Sequence, residues 1–402
     1  MRCVLCIISW MGLVLCIGGF SWGGTGSAYD RAWERGDHPD SRMLADAKKT
    51  RDAKSRRWWQ KVQQRNYSYI DSVRWWSSER STRVVIDLKR KTKYTVHRLS
   101  GPPRLYIDIE KTVLDPPKKS WAIRDGLVRQ VRASQFREGI VRVVLDLEEI
   151  RGYNVFSLTR PHRIVLDVFP PRTRAPSLAR QLGAKVRTIV LDPGHGGKDP
   201  GAIAGRLKEK TLVLDICKRL KRLLKKEYKI YVTRERDVFI PLEARTAFAN
   251  QKGADLFVSV HANLARSSRI QGIETFYLSL ASDKEARELA AFENAMAAHA
   301  ISDLEDMIEK ILKNTKLKES RQFAEIVQRD LVIGTGRKNR GVKRAPFVVL
   351  IGANMPSVLT EVSFISNKTE ARLLATERYR EKIARALAEG IRRYANGLTM
   401  GK

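Results

Sequence analysis

Hydrophobic and polar positions divide the chain into two halves with different periodicity. Between residues 66 and 170, short runs of Val, Ile, Leu and Tyr are separated by Pro-containing turns, which is typical of β-strands. From Arg187 onwards, short apolar runs alternate with segments of helical spacing such as residues 209–226. Alternation of this kind predicts a sheet covered by helices. We therefore expect an all-β sandwich followed by an α/β domain with a mixed sheet flanked by helices.

The first half contains an internal repeat. Three segments recur at a constant offset of 59 residues: 83–88 with 142–147, 94–96 with 153–155, and 104–108 with 163–167. A constant offset indicates one structural unit used twice. Two similar antiparallel sheets, each hiding one face, would pack as a sandwich. The Arg and Asp residues that recur in these segments either pair across strands or lie on a binding face, and we favour pairing.

The second half places four chemically useful side chains near the ends of its predicted elements. Strands are predicted at residues 188–191, 229–233, 255–260, 272–280, 348–350 and 357–362, and helices at 209–226 and 242–253. His195 and His261 follow or end strands, and Glu361 ends the last one. Glu209 begins the first helix. Because sites in open α/β sheets form at the carboxyl edge of the strands, we expect these residues to converge.

These residue types suit metal-assisted hydrolysis of an amide. Two imidazoles and one carboxylate hold zinc and leave one coordination position open. His195, Glu209 and His261 supply that set, and Glu361 supplies a further carboxylate that can move protons. Each residue alone also has a structural interpretation, but their convergence favours a metal site.

The segment around His195 offers local support for that site. Gly194, Gly196 and Gly197 permit positive φ and let a substrate approach the backbone. Asp192 is a candidate to orient His195 through a hydrogen bond.

Charge and the first residues narrow the choice of partner. The net charge of +32 predicts attraction to nucleic acid, anionic lipid or wall polymers. Residues 3–20 carry no charge, follow Arg2 and precede Gly26-Ser27-Ala28, which predicts a signal peptide over 1–28. An uncleaved membrane anchor is the alternative. Export and the lack of a nucleic-acid-binding motif argue against nucleic acid.

Three further segments complete the organisation. Residues 29–65 are charged and predicted to be a helical lead or a spacer, with Trp58 and Trp59 either docking on the next domain or touching a ligand. Residues 171–186 are predicted to be a Pro-rich linker. Residues 282–310 carry eight acids and three bases, an acidic island within a predicted helical insert over 282–320. Cys217, the one cysteine outside the signal segment, lies among apolar residues and is predicted to be core.

Both halves resemble known families. Residues 66–170 resemble the AMIN domain, a symmetric β-sandwich whose family binds peptidoglycan and directs periplasmic proteins to the division site. Residues 187–402 resemble the zinc-dependent N-acetylmuramoyl-L-alanine amidases of the AmiC-like, amidase-3 type. The segments that carry this second resemblance are 192–197 (Asp-Pro-Gly-His-Gly-Gly), 208–210, 233–234, 242–245, 259–263 (Ser-Val-His-Ala-Asn), 341–350 and 356–367.

The resemblance implies specific roles. It implies zinc on His195, Glu209 and His261, Glu361 as catalytic base, and cleavage of the bond between N-acetylmuramic acid and L-alanine. Supporting or substrate-contacting candidates within the matching segments are Asp192, Arg245 and Asn263. In septal amidases an inserted helix blocks the site with a glutamate, and an activator protein displaces it. Glu293 is the candidate for that glutamate.

The resemblance also implies a periplasmic, septum-enriched enzyme, and we expect a monomer with peptidoglycan and a protein activator as partners. The membrane would be contacted only through an uncleaved signal segment. Two alternatives stay open: an exported zinc peptidase or deacetylase on the same fold, and a wall-binding protein without activity. The complete set of four site residues argues against the second of these.

Overall fold

The computed structural model describes residues 66–115, 118–158, 161–171, 186–265, 267–279, 284–294 and 316–400. The predicted signal peptide, the lead segment with Trp58 and Trp59, most of the linker and the centre of the acidic insert lie outside this range. Within it, no helix combines the length and the apolar character needed to cross a membrane.

Ten strands form the first half. They are β1 (Ser68–Ser78), β2 (Ser81–Leu88), β3 (Tyr94–Ser100), β4 (Pro103–Glu110), β5 (Thr112–Val113), β6 (Lys118–Ala122), β7 (Val128–Arg137), β8 (Ile140–Leu147), β9 (Gly152–Leu158) and β10 (His162–Phe169). One sheet has the order β5-β1-β2-β10-β9 and the other the order β3-β4-β8-β7-β6. All neighbours are antiparallel except the short β1–β5 pair. The inward residues of both sheets share one hydrophobic core, so the predicted sandwich is confirmed.

The internal repeat is divided between the two sheets. β2 pairs with β10, and their repeat equivalents β8 and β4 pair with each other in the other sheet. The recurring Arg and Asp side chains pair across these strands: Arg83 Nε donates to Asp167 over 2.6 Å, and Arg142 Nε donates to Asp108 over 2.7 Å. The pairing that we favoured is therefore confirmed.

The second half is an α/β domain. Its strands are β11 (Thr188–Pro193), β12 (Ile203–Ala204), β13 (Leu207–Lys208), β14 (Lys229–Val232), β15 (Leu256–Asn263), β16 (Ile273–Leu278), β17 (Asn339–Ala345) and β18 (Ser357–Phe364). Its helices are α1 (Glu209–Leu224), α2 (Leu242–Gln251), α3 (Lys284–Glu293), α4 (Leu317–Thr335), α5 (Lys368–Ala375) and α6 (Glu377–Met400).

Six of these strands form a mixed sheet in the order β14-β11-β15-β18-β16-β17. The β16–β18 pair is antiparallel, and the other neighbours are parallel. The central strands β15 and β18 are buried along their whole length, as expected of strands covered on both faces. One apolar cluster joins the sheet to α1, α4 and α6 and contains Cys217, which is fully buried. The predicted mixed α/β architecture is confirmed.

Two details of the strand prediction were wrong. Val348–Leu350 is a turn of 3₁₀ helix, because a three-residue apolar run carries no periodicity that separates a strand from a buried turn. β17 was missed because its sequence, Asn-Arg-Gly-Val-Lys-Arg-Ala, is mostly polar. It lies at the edge of the sheet, where polar residues and glycine are tolerated.

Candidate functional site

Four buried side chains converge at the carboxyl edge of the sheet. His195 follows β11, Glu209 opens α1, His261 lies near the end of β15, and Glu293 ends α3. One ligand-type atom from each lies within 4.8 Å of the others. His195 Nε2 is 3.1 Å from Glu209 Oε2 and 3.2 Å from Glu293 Oε2. His261 Nδ1 is 3.1 Å from both carboxylates. The structure thus brings the three predicted ligands together and adds the predicted blocking residue.

The donor atoms of this cluster fit a metal ion. His195 Nε2 and Glu293 Oε2 are buried and lie within 3.2 Å of each other, yet neither makes a hydrogen bond of acceptable geometry. Both atoms are therefore free of hydrogen bonds within the described residues and are available to a shared ligand. Two imidazole nitrogens with carboxylate oxygens form a donor set that zinc binds.

Charge within the cluster is balanced by protons in the metal-free protein. Burial would lower the pKa of His261, but Glu293 and Glu209 raise it to about 10. Burial would also lower the pKa of His195, but Glu209 and Glu293 raise it well above its usual value. The two imidazoles keep the pKa values of Glu209 and Glu293 below their usual range despite burial. A cation at the centre would replace these protons.

Glycines make room for the cluster. A Cβ on Gly194 would lie 2.4 Å from the ring of His261, and one on Gly201 would lie 2.5 Å from Glu209 Oε2. His195 itself has a φ of 57°, and Gly196 and Gly197 also have positive φ. The predicted backbone freedom is confirmed at Gly196 and Gly197, whereas Gly194 is needed for close approach.

The hydrogen bonds behind the cluster differ from our expectation. His195 Nδ1 lies 2.8 Å from Asp199 Oδ2, so Asp199 rather than Asp192 orients the ring. The sequence does not mark Asp199 as a partner of His195, because nothing in the pattern indicates how the Gly-rich turn folds back. Glu209 is held from the other side by the backbone N–H groups of Ala202 and Ala262, each at 2.8 Å.

Asp192 instead holds Arg245, which contacts the backbone of the turn. It accepts hydrogen bonds from Thr233, Ser259 and Arg245. Arg245 is buried and also donates to the carbonyl oxygens of Pro193 and His195, at 2.9 Å each. The Asp192–Arg245 pair therefore fixes the turn that presents His195 to the cluster.

Glu361 stands apart from the four ligand-type groups. It lies on β18, opposite His261 on β15 and Glu274 on β16. It is fully buried, and neither of its carboxylate oxygens has a hydrogen-bond partner among the described residues. Burial raises its pKa well above the usual value, His261 opposes this, and nearby carboxylates including Glu293 add to the rise. A buried carboxyl group of this kind next to a metal-type cluster is suited to accept and return a proton.

The helix α3 carries Glu293 into the cluster. Ala286, Leu289 and Ala290 pack inwards, and Glu293 enters the cluster. The next residue, Asn294, donates to the carbonyl of Pro346 over 2.9 Å and accepts from the N–H of Val348 over 3.0 Å.

A cavity of about 440 Å³ lies beside α3. Its lining includes Asn263, Glu274, Leu289, Phe292 and Arg340. Asn263 is the last residue of β15 and lies two residues after His261, so the cavity borders the strand that carries one of the candidate ligands. Asn263 is itself buried, and its role towards a substrate stays a prediction.

Comparisons with known proteins agree with this architecture. Residues 189–393 match the family model for N-acetylmuramoyl-L-alanine amidase, and residues 72–168 match the AMIN domain. The chain is similar to the N-acetylmuramoyl-L-alanine amidase AmiC of Escherichia coli O6:H1, with 32% identity over 83% of this chain and 92% of the relative. It is 31% identical to AmiC of Neisseria meningitidis over 81% of this chain and 89% of the relative. AmiA of Escherichia coli K12 is 37% identical over 54% of this chain and 78% of the relative.

Proposed function

The chain belongs to the N-acetylmuramoyl-L-alanine amidase family, with an AMIN domain before the amidase domain, and from this we propose a zinc-dependent hydrolysis. The bond cleaved is the amide between N-acetylmuramic acid and L-alanine in peptidoglycan. His195, Glu209 and His261 hold the metal. The observation that carries the proposal is the convergence of their ligand atoms, with Glu293, within 4.8 Å.

Zinc, when bound, polarises the amide carbonyl and lowers the pKa of a coordinated water. Residues of the chain transfer the proton and keep the metal ligands in place. Glu361 takes a proton from the attacking water and passes it to the departing nitrogen of L-alanine. Neither carboxylate oxygen has a hydrogen-bond partner in the described part of the chain, which leaves both available for that transfer. Asp199 and the backbone N–H groups of Ala202 and Ala262 keep His195 and Glu209 in place.

The described state is closed. Glu293 Oε2 lies 3.2 Å from His195 Nε2 and 3.1 Å from His261 Nδ1, so it would compete with a water for the open position of a metal held by these residues. Activity therefore requires that α3 move away. We attribute that movement to a protein activator, since the acidic insert that contains α3 offers a charged surface within a strongly basic chain.

The cellular role follows from the same features. The predicted signal peptide and the AMIN domain support a periplasmic enzyme that acts on the wall, enriched at the septum, where daughter cells separate. We expect the enzyme to act as a monomer.

Product analysis tests the proposed reaction. Purified peptidoglycan is incubated with the full-length Glu293→Ala variant, with and without a chelator, and the fragments are identified. The expected products are glycan strands without peptides and peptides with a free L-alanine amino group, and the chelator should abolish both. New ends between two amino acids would instead indicate a peptidase, and released acetate a deacetylase. Product formation that survives complete metal removal would contradict the zinc assignment.

A further inference from the structure

The two outer faces of the sandwich carry equivalent arginines. The cross-strand register and the repeat match them in three pairs: Arg74 with Arg132, Arg83 with Arg142, and Arg163 with Arg104. For example, Arg74 lies opposite Val85 and Arg132 lies opposite Val144, and Val85 and Val144 are 59 residues apart. We call the face with Arg74, Arg83 and Arg163 the covered face, and the face with Arg104, Arg132 and Arg142 the open face.

The arginine–aspartate ion pairs within each sheet are the same on both faces. On the covered face, Arg74 forms a two-pronged contact with Asp87, at 2.7 and 2.6 Å. On the open face, Arg132 contacts Asp146 in the same way, at 2.7 and 2.8 Å. The Arg83–Asp167 and Arg142–Asp108 pairs also correspond. Among these matched residues, each face has three arginines and two aspartates, so the matched set carries one excess positive charge.

On the covered face, a carboxylate of the amidase domain balances that charge. Glu243, on α2, accepts from Arg163 Nη1 over 2.5 Å and from Arg74 Nη2 over 3.0 Å. Arg83 donates to the carbonyl of Glu243 and to Thr246. Burial would raise the pKa of Glu243, but Arg163 and Arg74 lower it to about 2. The covered face is therefore a carboxylate-binding site whose ligand belongs to the same chain.

The open face keeps the same groups exposed. The side chains of Arg104 and Arg132 are 39% and 42% exposed, whereas that of Arg163 is 3% exposed. Val144 is partly exposed, while its equivalent Val85 is fully buried. Among the ion pairs of the described residues, Arg104 and Arg132 contact only Asp146 of their own sheet. The counterpart of Glu243 is thus missing from the part of the chain that the structure describes.

Aromatic rings border the open face. The guanidinium of Arg142 lies 4.3 Å from the ring centre of Tyr106 and 3.7 Å from that of Phe136. Phe136 is 51% exposed. A guanidinium next to exposed rings suits a ligand with a carboxylate beside apolar groups, since the rings cover the apolar part.

We propose that the open face binds a carboxylate of the peptide stems of peptidoglycan, in the way that the covered face binds Glu243. Charge complementarity selects the ligand group: one unbalanced arginine charge meets one carboxylate. The choice of peptidoglycan as its source rests on the proposed function. The covered face is unavailable to the wall because the amidase domain occupies it, so the two repeat units have different partners.

A binding measurement tests this proposal in the full-length protein. The Glu361→Gln background prevents digestion, and co-sedimentation with purified peptidoglycan, free of other anionic polymers, gives the affinity. Arg104→Gln should weaken binding about fivefold, near the upper end for one exposed ion pair. Arg321→Gln is the control: it removes one exposed, ion-paired arginine on α4, 65% exposed against 39% for Arg104, and should leave binding within the error of the parent. Thermal unfolding checks that both variants are folded.

A second arm identifies the ligand group. On peptidoglycan whose carboxylates have been converted to methylamides, the parent and Arg104→Gln should bind equally weakly. Equal binding of parent and Arg104→Gln to untreated wall, or a difference that persists on amidated wall, would overturn the proposal. Product analysis with Glu361 intact is independent of this arm, so a wrong ligand face and a wrong reaction give different results.

Discussion

Two buried glutamates flank His261, and their surroundings give them opposite properties. Glu293 contacts both imidazoles within 3.2 Å, and its pKa lies below the usual value. Glu361 has no hydrogen-bond partner within the described residues, and its pKa lies well above the usual value. Both are almost completely buried. Burial alone therefore does not set the role of a carboxylate. The cationic partners within reach decide whether it acts as a ligand or as a proton carrier.

The largest expected effect comes from Glu361, the proposed proton carrier. In the Glu293→Ala background, Glu361→Gln should reduce the rate of amide hydrolysis by about 10²–10⁴-fold, because glutamine fills the same space but accepts no proton. Zinc content, measured by metal analysis of the purified protein, should stay near one per chain. His195→Ala is the contrasting variant, since it should lose both zinc and activity. Loss of zinc from Glu361→Gln would place Glu361 among the ligands and remove the distinction.

A smaller effect of opposite sign is expected from the ligand-type glutamate. Glu293→Ala should raise the basal rate on purified peptidoglycan by about tenfold or more, because it removes the group that holds α3 in the cluster. Glu288→Ala is a matched control, since Glu288 is an exposed acid on the same helix. Equal basal rates for Glu293→Ala and the parent would show that Glu293 does not block the site.

Much of this arrangement was predictable from the sequence, and the exceptions have physical reasons. His195, Glu209 and His261 were found because each lies at an element end that periodicity predicts, and strand ends meet at one edge of a sheet. Asp199 was missed because its contact depends on a turn in which His195 adopts positive φ. No local pattern specifies such a turn.

The same limit applies to contacts between the two halves. The repeat predicted two similar sheets, and it predicted the arginine–aspartate pairs because these lie within one sheet. It gave no sign that one face would be covered, because Glu243 is distant in sequence and nothing in α2 marks it as a partner of Arg163. Contacts of this kind depend on how two folded domains meet.

The smallest effect concerns the metal-free protein and connects the two glutamates through His261. The pKa of His261 is about 10 in the folded chain and about 6.5 when unfolded. A raised folded-state pKa stabilises the fold fully below pH 6.5, and this stabilisation is lost as the pH rises towards 10. We expect the melting temperature of chelator-treated protein to fall by several degrees between pH 6.5 and 9.5.

The overall charge of the chain and two variants allow the fall in melting temperature to be assigned to particular groups. The charge of the whole chain moves towards zero over the same range, because the pI is about 10.3, and this change favours the folded state. A fall in melting temperature therefore reports the cluster and not the overall charge. Glu293→Gln should reduce the fall, since one of the two carboxylates that raise the pKa of His261 is then neutral. Glu361→Gln should remove only part of the fall. The raised pKa of Glu361 also makes the folded state lose stability as the pH rises, whereas Glu293 and Glu209 still contact His261 in this variant. If Glu361→Gln abolished the fall, the titration of Glu361 rather than that of His261 would account for it.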